Sequence, residues 1–241
     1  MTSSSDNNKK RKQVSLTTPL GVFAYPSLHK IDYGTEEYPC VDGRYKVRLI
    51  LNEDDPATKD FISKCQSAYD EAIAEAELRF AELPVASRKK LKNINPQPIL
   101  RPVFDKETEK PTGQVELNAV LPAKVTYKKG PKAGQTVTNK IVVFDSKGNR
   151  MHPVPDIWGG TEGKLNVSIR PYFVTASGDA GISFRLNAAM IKKLIGPNGD
   201  RSADSFGFET NEDGYEYTPP EEEAFSKSGA NTNDGEDNGD F

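Results

Sequence analysis

The sequence predicts a mainly β protein, a small barrel or curled sheet of about five strands with one long helix inserted near its start. Segments in which apolar and polar residues alternate occur around residue 45 and again after residue 114. Between them lies one stretch with the three- and four-residue spacing of an amphipathic helix. Strands and helices do not alternate along the chain, which argues against a parallel α/β sheet.

The two ends of the chain differ in composition from its centre. Residues 1 to 18 are rich in Ser, Asn and Lys and contain KKRK at positions 9 to 12, which predicts a basic flexible arm. Residues 202 to 241 contain twelve acids and one lysine, a net charge of −11, whereas residues 1 to 201 contain 31 bases and 23 acids, a net charge of +8. We expect a folded domain over residues 19 to 200 and a disordered acidic tail over residues 201 to 241.

The first predicted strand is GRYKVRLIL, residues 43 to 51. Successive side chains of a strand point to opposite faces. Its apolar face carries Tyr45, Val47, Leu49 and Leu51, and its other face carries Lys46, Arg48 and Ile50. One face therefore suits a core and the other is largely cationic.

A long helix is predicted over about residues 56 to 83, with Asp55 as N-cap and Pro56 as its first residue. Its apolar stripe consists of Ile62, Cys65, Tyr69, Ala72, Ala76 and Phe80. The stripe places Cys65 in the core rather than at a reactive site. Glu53, Asp54 and Asp55 could instead hold a divalent metal, but negative charge is favoured at a helix N-terminus, so we predict capping.

The rest of the chain is predicted to be β-rich. A second basic run, SRKKLK, leads into NPQPILRPVF, a loop or edge strand because of its prolines. QVELNAVLPAKVTY and TVTNKIVVFD flank the loop KKGPKAGQ, which predicts a hairpin with Lys128, Lys129 and Lys132 at its tip. KLNVSIRPYFVTA and GISFRLNAAMIKKLI, joined through SGDAG, are predicted to form a second strand pair.

Sequence motifs of enzymes are missing from the chain. It contains no Walker phosphate loop, dinucleotide fingerprint, nucleophile elbow or histidine pair at metal spacing. Two cysteines and two histidines make a disulfide framework or a zinc site improbable. No apolar run approaches the roughly 18 residues of a membrane span, and the polar start is not a secretory signal. We expect a cytoplasmic protein without cofactor, metal or catalytic activity.

Basic and aromatic residues interleave on the predicted strands. Lys46 and Arg48 share a strand with Tyr45, and Lys124 lies close to Tyr127. Single-strand binders use this combination, because cations follow the phosphates and aromatic rings stack on bases of any sequence.

The segment SIRPYFVTA carries the strongest candidate ring for base stacking. Arg170 precedes Tyr172 by two residues, and Pro171 cannot donate to a central ladder. Tyr172 and Phe173 must point to opposite faces, so we predict an exposed Tyr172 ring.

Four segments together resemble the single-stranded DNA-binding proteins of short-tailed bacteriophages. They are DYGTEE followed by YKV, then VVFDSKGNRMHPVPDIWGG, then KLNVSIRPY, and the terminal DGEDNGDF. The resemblance covers most of residues 32 to 195 and the tail. It implies an OB-fold, here a five-stranded barrel with one long inserted helix, and a non-enzymatic role in phage DNA replication, recombination and annealing in the cytoplasm of the infected bacterial host. It also suggests a homodimer.

The resemblance assigns roles to individual positions. Tyr172 matches a residue that stacks on bases in the family's binding cleft. The basic wall of that cleft is matched by Lys128, Lys129, Lys132 and Lys140. Val174 stands where the family has a tryptophan, so Phe173 or Trp158 is expected to substitute. Phe241 matches the terminal aromatic with which the family docks replication partners, here the phage DNA polymerase and helicase-primase.

The acidic tail is expected to compete with DNA. Its charge opposes that of the body, and Phe241, with Glu236, Asp237 and Asp240 around it, would occupy the place of a stacked base until DNA displaces it. Two alternatives stay open: a binder acting mainly on duplex DNA or RNA, which the basic arm favours, and a non-enzymatic assembly protein with an acidic tail.

Overall fold

A computed structural model describes residues 14 to 127 and 130 to 196. The first 13 residues of the predicted arm, Lys128, Lys129 and the whole acidic tail lie outside these ranges. Within them the strands are β1 (Ser15–Thr17), β2 (Gly21–Gly34), β3 (Pro39–Asn52), β4 (Asn95–Pro96), β5 (Arg101–Phe104), β6 (Pro111–Pro122), β7 (Lys124–Thr126), β8 (Thr136–Thr138), β9 (Val142–Phe144), β10 (Glu162–Phe173) and β11 (Asp179–Lys193). The helices are α1 (Pro56–Glu82) and α2 (Val85–Leu91).

Five strands close into a barrel in the order β10, β2, β3, β6, β11, with β11 pairing back onto β10. The pairings are antiparallel except that of β6 with β11. Where β10 meets β2, Gly163 lies opposite Gly21, and a Cβ on Gly163 would overlap the Phe23 ring and the Met190 carbonyl. Glycines thus allow the close approach that closure requires. The predicted OB-fold-like five-stranded barrel is confirmed.

The N-terminal side of the barrel differs from the prediction. Ser15–Thr17, assigned to the arm, pairs with β10, and Leu16 packs against the core. β2 precedes the strand that the sequence analysis took as the first one. It was missed because Pro26 interrupts the segment and polar residues follow it, although Phe23 and Leu28 are fully buried. The strand predicted over residues 43 to 51 is confirmed, with its apolar face in the core.

Helix α1 confirms the predicted helix and its cap. The Asp55 side chain accepts a hydrogen bond of 2.9 Å from the Ala57 backbone N–H, which satisfies one of the free donors of the first turn. α1 packs on β10 and β11, and its Phe61 ring lies 6.0 Å from that of Phe184. Cys65 is fully buried, and burial raises the pKa of its thiol to about 12. The basic run after α1 forms a second, short helix that the sequence analysis did not predict.

The two predicted strand pairs have different outcomes. β10 and β11 pair antiparallel along almost their whole length, as predicted. The first hairpin is confirmed only near its loop, where β7 pairs with β8. The longer arms diverge, because β6 pairs with β3 and β5 while β9 runs parallel to β11.

Candidate nucleic-acid interface

The outward face of β3, β6, β11 and β10 carries a row of polar and cationic side chains. Cross-strand partners share a face, and the register places Arg48 beside Asn118 and Arg170 beside Ser183. Arg185, two residues after Ser183, projects from the same face. The residues between them, such as Leu49, are buried in the core. The period-two pattern therefore produces one continuous outer surface suited to a charged ligand.

A groove of about 360 Å³ lies at one end of this surface, and Tyr172 is in its wall. Arg101, Asn118 and Ser183 also line it, and Val174 occupies the position where the family resemblance expected tryptophan. Tyr172 is partly buried, not exposed as predicted, and burial raises the pKa of its hydroxyl. The ring faces its cross-strand partner Gly181, which leaves room for it against the sheet.

Arg170 and Arg185 are close enough to influence each other's charge. The pKa of Arg170 is lowered, first by burial and then by the neighbouring Arg185 charge. Within the residues that the structure describes, no carboxylate forms an ion pair with either guanidinium. Two neighbouring cations without a carboxylate partner in this part of the chain repel each other, and a bound anion such as a phosphate would relieve that repulsion.

Lys46 and Arg48 lie on the outer face, as predicted, but both have partners within the protein. Lys46 Nζ lies 2.9 Å from Asp32 Oδ2, which the Arg44 Nε also contacts at 2.9 Å. Burial tends to raise the pKa of Asp32, but the hydrogen bonds from Lys46 and Arg44 outweigh it and lower the pKa to about 2.

Arg48 connects two parts of the surface. Its Nη1 lies 3.5 Å from Glu116 Oε2, and its guanidinium carbon lies 5.6 Å from the centre of the Tyr25 ring. Glu116 borders the Tyr172 groove.

Two lysines of the predicted basic wall, Lys132 and Lys140, lie on or beside a separate hairpin, together with the candidates Lys124 and Tyr127. Lys124 is on β7, Tyr127 and Lys132 are in the loop between β7 and β8, and Lys140 follows β8; all four are exposed. Among the described residues, neither Lys132 nor Lys140 lines the Tyr172 groove. Lys128 and Lys129 lie outside the described residues. The sequence-predicted candidates are therefore divided between the barrel face and this hairpin.

Trp158 lies in the loop before β10 and belongs to a second groove, of about 710 Å³. Tyr25 lies in the same wall, and both rings are accessible, with exposed fractions of 50% for Trp158 and 67% for Tyr25. Phe173, the other expected substitute for the missing tryptophan, lies beside α1 with Ala72 and Ala76.

Sequence reasoning missed three residues of this surface: Tyr25, Arg101 and Arg185. The alternation in ISFRL, with Phe184 in the core, could have placed Arg185 outside in the same way that it placed Arg48. Arg101 comes to the Tyr172 groove through a proline-rich edge strand, and Tyr25 through an irregular strand before Pro26. Neither segment has a periodic signal.

The described residues contain neither a metal-binding cluster nor a membrane-spanning helix. In residues 14–127 and 130–196, His, Cys, Asp and Glu side chains form no group of three or more that could hold a metal ion. No helix in these ranges is long and apolar enough to cross a membrane.

Comparison with known proteins gives consistent matches over most of the chain. The family model described as single-stranded DNA-binding protein of bacteriophage T7 matches residues 21–194. The single-stranded DNA-binding protein of Escherichia phage T7 is 28% identical over 93% of this chain and 97% of its own, and that of Enterobacteria phage T3 is 29% identical over 85% and 86%. The crystal structure of gp2.5, the single-stranded DNA-binding protein encoded by bacteriophage T7, superposes with a TM-score of 0.60 and 25% identity, covering 86% of this chain and 100% of that one. Since the family model covers well over half of the sequence, the chain belongs to the family of the bacteriophage T7 single-stranded DNA-binding protein.

Proposed function

We propose that this protein binds single-stranded DNA without sequence preference. The observation that carries the proposal is that Arg170 and Arg185, which have no carboxylate partner among the described residues, lie on the same barrel face as the Tyr172 groove. The names of the phage T7 and T3 relatives support it.

Each part of the face would contact a different part of the ligand. Arg170, Arg185 and Arg101 would contact successive phosphates, and the Tyr172 ring would stack on a base that has left the helical stack. Because every base has a π-face, stacking tolerates any sequence, and the cations read only the backbone. Lys46 is held by Asp32 and so would contribute less.

The proposal extends to the segments outside the described residues. The tail, whose residues 202 to 241 carry a net charge of −11, would compete with DNA for the cationic face and, once displaced, would recruit the phage polymerase and helicase-primase through Phe241 and its neighbouring acids. The protein would act as a homodimer in phage DNA replication, recombination and annealing, in the cytoplasm of the infected bacterium.

Equilibrium binding to labelled oligonucleotides tests the proposed activity. For single strands, log affinity should fall with log salt at about −0.7 per phosphate neutralised, so contacts with three or more arginines give a slope of about −2 or steeper. Unlabelled duplex DNA or RNA should compete poorly. A flat salt response would indicate an assembly protein, and stronger competition by duplex or RNA would indicate the other class of ligand.

Two truncations test the tail separately. Removing residues 202 to 241 should tighten DNA binding at low salt, because the competitor is gone, and the gain should shrink as salt screens both interactions. Removing Phe241 alone should change DNA affinity little and reduce capture of the polymerase. Equal affinity of the truncated and intact proteins at low salt would contradict the competitor role.

A further inference from the structure

We infer that the groove between Tyr25 and Trp158 is a second base-binding subsite for the same single strand that occupies the Tyr172 groove. The inference rests on the proposed function; it places Trp158, one of the two expected substitutes for the missing tryptophan, in a subsite of its own and adds Tyr25 to it. The two rings are exposed on the wall of one open groove of about 710 Å³, whose lining includes the apolar residues Val22, Pro26 and Ile157. An apolar groove with two accessible aromatic rings suits a flat, uncharged nucleobase.

The backbone at Tyr25 provides an independent observation. Its φ is +49°, a region that non-glycine residues rarely adopt, and the following Pro26 restricts it to extended conformations in most proteins. The pairing of β2 with β3 shifts register between Ala24 and Ser27, so Tyr25 lies on a bulge. Bulges and strained backbone commonly redirect a side chain at a functional site. Here the result is a tyrosine ring turned out of the sheet into solvent.

Arg48 contacts a residue in the wall of each groove. It stacks on Tyr25 in the second groove and pairs with Glu116 in the wall of the first. Ala24, Arg48 and Asn118 form a row across three neighbouring strands, a distance of about 10 Å at about 4.8 Å per strand. Each strand of B-DNA advances about 3.4 Å per nucleotide along the helix axis, and an extended single strand advances farther, so about three nucleotides or fewer span this distance. One short single strand can therefore place bases in both grooves and a phosphate at Arg48.

The charges at the groove agree with this ligand. Lys30 and Asp156 in the lining carry opposite charges, and the Arg48 guanidinium, which pairs with Glu116 at 3.5 Å, lies at the edge shared with the barrel face. The base would lie in the apolar part, and its phosphate would lie toward Arg48.

Trp158 is the one tryptophan of the whole chain, so its fluorescence reports on this groove directly. The full-length protein is titrated with an end-labelled oligothymidylate of about 12 nucleotides, within the range of site sizes of such folds. Label anisotropy measures binding, and tryptophan emission measures stacking in the groove. We expect emission to fall in parallel with the rise in anisotropy, with free N-acetyltryptophanamide as the control for absorption by DNA.

Substitutions test the energetic role. Trp158→Ala should weaken binding by about 5- to 150-fold, the factor that corresponds to the loss of one stacked base. Trp158→Phe, which keeps a ring, should stay within about 3-fold of the native protein. Tyr38→Ala is the matched control, because Tyr38 is 78% exposed and lines neither groove. Melting temperatures of all three variants establish that they are folded.

The outcomes separate the inference from the proposed function. If DNA binds with a steep salt response but emission is unchanged and Trp158→Ala binds normally, the second subsite is wrong and the proposed function stands. If a peptide of residues 230 to 241 quenches Trp158 and DNA does not, the groove belongs to the tail and the inference is wrong. If no salt-dependent DNA binding occurs at all, both are wrong.

Discussion

Replacing Tyr172 with alanine should reduce both DNA affinity and stability, because its ring serves the groove and the sheet together. A fully buried aromatic truncated to alanine costs about 3–5 kcal/mol of stability. Tyr172 is partly buried, with one side toward Gly181 and the other toward the groove. We therefore expect a stability loss of about 1–3 kcal/mol. Loss of a stacked base should cost a further 1–3 kcal/mol or so in affinity, a decrease of about 5- to 150-fold.

Tyr172→Phe separates the two contributions. It keeps the ring that stacks and packs and removes only the hydroxyl, so affinity and melting temperature should both stay near the native values. Tyr38→Ala is again the control for loss of an exposed ring outside the groove. Urea unfolding and anisotropy titrations on the same preparations measure stability and affinity, with binding assayed well below the melting temperature.

Two results would contradict a stacking role for the Tyr172 ring. If Tyr172→Ala bound single strands with native affinity while remaining folded, the ring would not stack on DNA. If Tyr172→Phe lost as much affinity as Tyr172→Ala, the hydroxyl rather than the ring would make the contact, and the groove would read a hydrogen bond instead of a π-face.

Three further predictions concern charge and burial. Asp32→Asn should destabilise the protein by about 1–2 kcal/mol at pH 7, a figure reduced for the partial exposure of Arg44 and Lys46. The pKa of Asp32 in the folded protein, about 2, lies below its ordinary value of 3.8, so the contribution of Asp32 to stability is complete above about pH 4 and is lost as pH falls toward 2. Urea unfolding of both proteins from pH 2 to 7 should therefore show that the difference in their free energies of unfolding shrinks as pH falls. A difference that did not change with pH would contradict the ion pair. Arg185→Gln should make the salt slope of DNA binding shallower by about 0.7, and an unchanged slope in anisotropy titrations would remove Arg185 from the phosphate contacts. Cys65 should resist thiol alkylation in the folded protein, because it is buried and burial raises the pKa of its thiol to about 12. Mass spectrometry should show Cys65 alkylated only after denaturation. Rapid labelling of Cys65 without denaturant would mean that α1 opens from the barrel.

Local patterns predicted the elements that have strong periodicity. The alternation in residues 43 to 51 and the apolar stripe of α1 each require only that apolar side chains collect on one face, so neighbours in sequence suffice to reveal them. The cap at Asp55 is equally local, because the donor that it satisfies is two residues away. β2 lacked such a signal, since Pro26 and the polar residues after it break the alternation although Phe23 and Leu28 are buried.

Composition and period are properties of consecutive residues. They were therefore enough to predict the mainly β class, the inserted helix, the cationic face of β3 and the division between a basic body and an acidic tail. Which of those cations remain available for a ligand depends instead on contacts between distant parts of the chain. Asp32 holds Lys46 from 14 residues away in sequence, whereas Arg170 and Arg185 meet through the β10–β11 register without a carboxylate partner among the described residues. The same register leaves the Tyr172 side chain partly buried against the sheet. Barrel closure places Tyr25 and Trp158 in the wall of one groove. Contacts between residues far apart in sequence depend on strand pairing and closure, which no local period encodes.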